Sequence, residues 1–107
     1  MSIQLGIAGA GIGGLAAALA CRRAGCETHI VEQASALSEV GAGIQLGPNV
    51  TRVLDAWGLG GALRRVAAQP RELVVRDAAR GIELGRMRLG PTFSQRYGAP
   101  YVAVHRA

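Results

Sequence analysis

The sequence is poor in cysteine, with only Cys21 and Cys26 among its 107 residues. Two cysteines cannot build a framework of several disulfides, and they cannot supply the four ligands of a structural zinc site. We therefore expect two small, buried, reduced thiols and no metal site.

Aromatic residues, lysine and long apolar runs are also scarce or missing. Aromatics make up 4% of the chain, and the net charge of +5 comes from arginines scattered between Arg22 and Arg106. Proteins that bind nucleic acid gather positive charge on one face, often beside stacking aromatics. No run approaches the roughly 18 apolar residues of a membrane span, and no export signal is recognisable. These absences favour a cytoplasmic protein that binds neither nucleic acid nor membrane.

What the sequence does contain is a core-forming composition, half apolar with 16 glycines. Residues 2–8 form a short apolar run that predicts a buried strand, residues 15–24 show helical spacing, and residues 28–31 predict a second strand. Together they have the length of a strand–helix–strand unit with parallel strands. The predicted fold class is α/β.

The rest of the chain predicts shorter elements. The segment 33–47 is polar and rich in glycine, which indicates a loop or a short helix. Pro48 opens a helix that Gly58 ends. The remaining predicted elements are a helix over 62–67, a hairpin of strands 72–76 and 82–89, and a strand over 101–104.

Gly9-x-Gly11-x-x-Gly14 lies where the first strand meets the helix. In dinucleotide-binding proteins, the first glycine of this motif allows a tight turn, the second lets a pyrophosphate approach, and the third lets helix and strand pack closely. The helix N-terminus offers free N–H groups to the phosphates. Glu32, 18 residues after Gly14, is placed to accept hydrogen bonds from a ribose.

The same pattern leaves alternatives open. A glycine-rich turn can connect strand and helix and bind nothing. If it does bind a dinucleotide, the acid at Glu32 disfavours a ribose 2′-phosphate, so FAD or NAD is favoured over NADP. The motif contacts the ADP half that FAD and NAD share, and it does not name a reaction.

A second set of motifs resembles a known family, the single-component FAD-dependent aromatic hydroxylases, and within it the salicylate and 3-hydroxybenzoate branch. The resemblance extends from Ile3 to Ala107. The residues that carry it are Glu32-Gln33-Ala34, Gly41-Ala42-Gly43-Ile44-Gln45-Leu46-Gly47-Pro48-Asn49, Val53-Leu54-Asp55, Gly58-Leu59 and Tyr101-Val102-Ala103-Val104-His105-Arg106-Ala107.

The resemblance implies a Rossmann-like FAD-binding domain, with the hairpin of residues 70–90 belonging to the sheet of a substrate domain. It implies that NADH reduces the flavin and that O₂ is then used to hydroxylate an aromatic acid such as salicylate or hydroxybenzoate. No catalytic residue is assigned. The residues expected to contact FAD are Gly9, Ala10, Gly11, Ile12, Gly13, Gly14, Glu32, Gln33, Ala42, Gly43, Ile44 and Arg106.

The chain also departs from the family pattern, because the family's later Gly-Asp and Asp-Gly cofactor motifs are absent. We expect an N-terminal fragment that is inactive alone. One alternative is a non-catalytic nucleotide-binding or assembly module, a homo-oligomer in which another copy completes the sheet. Another is a different FAD-dependent oxidoreductase of the same architecture.

Overall fold

The computed structural model describes residues 2–37, 41 and 43–105, and the chain divides into two compact units, Met1–Glu39 and Val40–Ala107. We call them unit 1 and unit 2. Each unit has its own strands and helices, and the class is α/β, as the sequence predicts.

Unit 1 is a strand–helix–strand unit made of β1 (Gln4–Ala8), α1 (Ile12–Arg23) and β2 (Glu27–Val31). β1 and β2 are parallel neighbours, paired from Gln4↔Glu27 to Ala8↔Val31. The predicted order of strand, helix and strand is confirmed, with two corrections. The first strand was expected to be buried, but no residue of β1 is buried. α1 begins three residues before the predicted start, because Gly11 is its N-cap and Gly13 and Gly14 lie in the first helical turn.

Unit 2 contains two antiparallel strand pairs and three short helices. Its elements are β3 (Gly43–Leu46), α2 (Pro48–Ala56), α3 (Gly60–Val66), β4 (Glu72–Arg76), β5 (Glu83–Arg88), α4 (Pro91–Tyr97) and β6 (Val102–His105). The predicted hairpin is confirmed as the β4–β5 pair, with an irregularity in register between Val75 and Arg76. Its assignment to a substrate domain stays a prediction.

Two predictions for unit 2 are wrong. The glycine-rich end of segment 33–47 is not a loop or helix, since β3 pairs with β6 from Gly43↔His105 to Leu46↔Val102. The hydrogen bonds of a partner distant in sequence override the low strand propensity of glycine. The second error is an omission, because α4 was not predicted even though Pro91 stands at its start and Gly98 follows it with φ +76°.

Few side chains of the described residues are fully buried. The buried hydrophobic ones are Ala18, Leu89, Ala99 and Val102. Larger apolar side chains of unit 1 stay exposed, among them Ile12 at 51% and Val31 at 67%. Among the residues of α1, Ala18 is the buried one, so this helix buries little apolar area.

Thr51 is the buried polar residue among those described, and it ties α2 to the segment before β6. Its side chain is 3% exposed, and its hydroxyl donates a hydrogen bond of 2.7 Å to the carbonyl oxygen of Pro100. The same hydroxyl lies 3.3 Å from the carbonyl oxygen of Gly47. No buried polar side-chain atom of the described residues is left without a partner.

We expect Thr51→Val to destabilise the chain by about 1–2 kcal/mol, because valine keeps the shape and leaves the carbonyl of the half-buried Pro100 without this donor. The midpoint of urea unfolding, followed by circular dichroism, measures the effect. Thr92→Val is the matched control, since Thr92 is exposed in α4 and the same change should stay within about 0.5 kcal/mol there. Equal midpoints for the two variants would contradict the role given to the Thr51 hydroxyl.

Candidate functional site

The glycine motif forms the connection between β1 and α1 in unit 1. Gly9 adopts φ +106°, which L-residues with a side chain rarely reach, so this turn requires glycine. Its N–H donates a hydrogen bond of 2.7 Å to the carbonyl oxygen of Val31, which fixes the turn against the end of β2. The turn is therefore held at the carboxyl end of both parallel strands, where α/β folds bind their ligands.

Gly14 makes the close approach that the motif predicts for its third glycine. A Cβ atom at this position would lie 1.9 Å from the carbonyl oxygen of Gly9 and 3.5 Å from Cγ2 of Ile7. Any side chain here would overlap the backbone of the turn. Gly11 and Gly13 differ, because a Cβ at either position meets no atom within 4 Å. The space that a Cβ atom would occupy at Gly11 is therefore open.

The N-terminus of α1 offers its backbone donors. Gly11, the N-cap, is extended, and no side chain caps the helix. The first turn carries no acidic residue that would repel an anion. The first intrahelical bond runs from the Leu15 N–H to the Gly11 carbonyl, so the N–H groups of Ile12, Gly13 and Gly14 precede the helical ladder. Such an end attracts negative charge, and phosphates in particular.

Glu32 follows β2 and lies beside the turn, as its spacing predicts. Oε2 accepts a hydrogen bond of 2.7 Å from the Ala10 N–H, and Oε1 accepts one of 3.0 Å from the Ala34 N–H. Sequence reasoning missed both contacts, since no local pattern shows that this carboxylate holds the turn itself. Each carboxylate oxygen has more than one acceptor position, so both can accept a further bond.

The two backbone donors also change the acidity of Glu32. The N–H groups of Ala34 and then of Ala10 stabilise the carboxylate and lower the pKa of Glu32 from its ordinary value of 4.5. Partial desolvation opposes this shift without cancelling it. The ionised form is therefore the one that the folded turn stabilises.

This shift predicts an acid-dependent loss of stability. Because the pKa is lowered on folding, the stabilisation is present above 4.5 and is lost as the pH falls through the lower pKa of the folded state. We expect Glu32→Gln to flatten this dependence, since the amide does not titrate. Urea midpoints measured between about pH 3 and pH 6 test it. If the urea midpoints of Glu32→Gln and of the original chain changed with pH in parallel, the hydrogen bonds from Ala10 and Ala34 to Glu32 would be ruled out.

The structure gives less information on the remaining predicted site residues. Gln33 is exposed directly after Glu32, in unit 1. Gly43 and Ile44 open β3 in unit 2, where a Cβ at Gly43 would lie 3.4 Å from the Val104 carbonyl oxygen. Ala42 and Arg106 lie outside the described residues. The structure therefore brings together the glycine turn and Glu32. The contacts implied for the other five, like every contact with the cofactor, stay predictions.

Unit 2 has a groove of about 760 Å³ between the β4–β5 hairpin and α4. None of the described residues predicted to contact the cofactor lines it. Its walls combine Arg71, Arg88 and Arg96 with Phe93 and Tyr97. In the parts of the chain that the structure covers, no three His, Cys, Asp or Glu side chains are grouped to hold a metal ion. No helix there is long and apolar enough to cross a membrane.

Comparison with known proteins gives close relatives, although no protein-family model matches the chain. A 3-hydroxybenzoate 6-hydroxylase of Polaromonas naphthalenivorans (strain CJ2) is 49% identical over 100 residues, which are 94% of this chain and 25% of that protein. The 3-amino-4-hydroxybenzoate 2-monooxygenase PtnB3 of Streptomyces platensis is 42% identical over 104 residues, 97% of this chain and 26% of that protein. The chain thus spans about a quarter of the length of these relatives.

A solved structure shares the fold. The crystal structure of Klebsiella pneumoniae HpxO, complexed with FAD and uric acid, superposes with a TM-score of 0.78 at 29% identity. The match covers 97% of this chain and 26% of that one. The match therefore leaves only a few residues of this chain uncovered.

Proposed function

We propose that the chain belongs to the family of FAD-dependent aromatic hydroxylases and that unit 1 binds the ADP half of FAD. The observation that carries the proposal is the open space beside Gly11, in front of an uncapped helix N-terminus. A pyrophosphate needs that combination of close backbone approach and free N–H donors. The residues present therefore fit the cofactor that the family uses.

Each part of the turn has a role in this proposal. The N–H groups of Ile12, Gly13 and Gly14 donate to the pyrophosphate, and the α1 dipole favours its negative charge. Glu32 accepts from the adenosine ribose through acceptor positions that Ala10 and Ala34 leave free. When bound, FAD supplies the redox chemistry, and the protein positions it.

We extend the proposal to the whole enzyme of which such a unit is part. Gln33, Ala42, Gly43, Ile44 and Arg106 would contact the flavin half, as the family resemblance implies. The reductant would be NADH, and one oxygen atom of O₂ would enter a small aromatic acid of the hydroxybenzoate class. The relatives' names support this substrate class, because they act on hydroxylated benzoates.

Cofactor retention tests the proposal directly. The purified chain is incubated with FAD, desalted and examined by visible absorption, with a parallel titration of NAD. We expect a retained flavin spectrum and weaker binding of NAD. Tight NAD binding without any FAD binding would contradict the assignment.

A second candidate, an assembly module whose sheet is completed by another copy, has one specific observation in its favour. Parallel sheets are normally covered on both faces, yet β1 and β2 form a sheet of two strands with Ile3 64% and Val31 67% exposed. Unpaired strand edges promote association. Light scattering distinguishes the candidates, since a monodisperse monomer that retains FAD would exclude the assembly role.

A further inference from the structure

The end of α1 brings two cysteines together through its backbone. Gly25 has φ +85°, and its N–H donates to the Arg22 carbonyl at 3.0 Å. The N–H of Cys26 donates to the Cys21 carbonyl at 2.9 Å. These two bonds define a Schellman motif, in which the residues at the Cys21 and Cys26 positions usually make a side-chain contact across the helix end.

The hydrogen bond between the two residues also limits their separation. With standard bond lengths and angles, a bond of 2.9 Å from the Cys26 nitrogen to the Cys21 oxygen keeps the two Cα atoms within about 6.8 Å. Disulfides span Cα separations of about 4.4–6.8 Å. The backbone of the folded chain therefore holds the two cysteines within bridging distance.

Neither thiol is sealed in the core, which corrects the expectation of two buried cysteines. Both are free and half-buried. Cys26 also lines an open cavity of about 500 Å³ together with Ser2, Arg22 and Glu27. A small disulfide reagent can reach Cys26 from this cavity.

We propose that Cys21 and Cys26 form a reversible disulfide that locks the C-terminal end of α1 to the start of β2. The oxidant is a low-molecular-weight disulfide such as oxidised glutathione. The Cys26 thiolate attacks it, forms a mixed disulfide and releases one reduced thiol. The Cys21 thiolate then attacks the Cys26 sulfur and releases the second. Overall, the two protein thiols lose two protons and two electrons, and these reduce one molecule of the low-molecular-weight disulfide to two thiols.

Thiol titration and mass spectrometry across glutathione redox buffers test this proposal. We expect both thiols to disappear together, with a mass loss of about two units and no change in chain number. The same titration in concentrated guanidinium chloride should give an equilibrium constant at least about tenfold smaller, because the helix end no longer holds the cysteines close.

Two single variants, Cys21→Ser and Cys26→Ser, serve as controls. Each should stop at one glutathione adduct, since the second attack is removed. The proposal would be overturned if the thiols stayed free, if the unchanged chain kept two glutathione adducts, or if disulfide-linked dimers formed. It would also be overturned if the equilibrium constant for disulfide formation were the same in the folded and the unfolded chain. The test measures thiols and not flavin, so its outcome is independent of whether the chain retains FAD.

Discussion

Gly14→Ala is expected to destabilise unit 1 by about 3 kcal/mol, a large share of the stability of a small domain. The added Cβ would lie 1.9 Å from the Gly9 carbonyl oxygen, and the Gly9 carbonyl carbon would be only 3.0 Å away. Both are backbone atoms of a turn that is fixed to Val31 by the Gly9 N–H, so they cannot rotate aside as a side chain would. Helix and turn must separate, and the urea midpoint should fall.

Gly13→Ala is the matched control for that change. Gly13 is the neighbouring residue in the same helical turn, and a Cβ there meets no atom within 4 Å. Alanine also has the higher helix propensity, so this variant should be as stable as the original chain or up to about 1 kcal/mol more stable. If both variants unfolded at the same midpoint, the close contact between turn and helix would not exist in solution.

Gly11→Ser is expected to separate cofactor binding from stability. Gly11 is the extended N-cap of α1, and serine caps helices well through its hydroxyl. Its Cβ would enter open space, so the fold should be unchanged or slightly more stable. The same side chain occupies the space proposed for the pyrophosphate and engages a donor that the phosphates need. We expect FAD to bind about a hundredfold more weakly, a loss of about 2.8 kcal/mol.

The control for Gly11→Ser is Gly6→Ser. Gly6 lies inside β1, and a Cβ there also meets no atom within 4 Å, but it is outside the turn. Equilibrium dialysis against FAD, together with urea unfolding, gives affinity and stability for both variants. Unchanged affinity in Gly11→Ser would place the phosphates elsewhere. Lost affinity in both variants would trace the effect to the sheet and not to the turn.

The parts of the fold that the sequence predicts well are those whose partners lie close together in the chain. Gly9, Gly11, Gly14 and Glu32 fall within a single strand–helix–strand unit, and their conformational roles depend on the absence of a Cβ or the presence of an acid. The same applies to the hairpin of β4 and β5. α4 was not predicted, although its ends carry local signals in Pro91 and Gly98.

β3 shows where the sequence does not suffice. Its glycine content indicates a loop, and only the hydrogen bonds to β6, a strand that follows about sixty residues later, make it a strand. The residues next to β3 in the sequence carry no information on such a partner, because pairing at this distance depends on how the chain between the two strands folds.

The sequence by itself determined the chemistry of the candidate site: a glycine turn before a helix, followed by an acid at the end of the next strand. Tertiary structure alone decided that this acid holds the turn before any ligand arrives, because Glu32 accepts from the Ala10 N–H only when β2 lies beside β1. The proximity of Cys21 and Cys26 is local by contrast, because it follows from the way α1 ends at Gly25. Residue type and local spacing fix conformational preference, whereas hydrogen-bond partners and exposure depend on which distant backbone lies alongside.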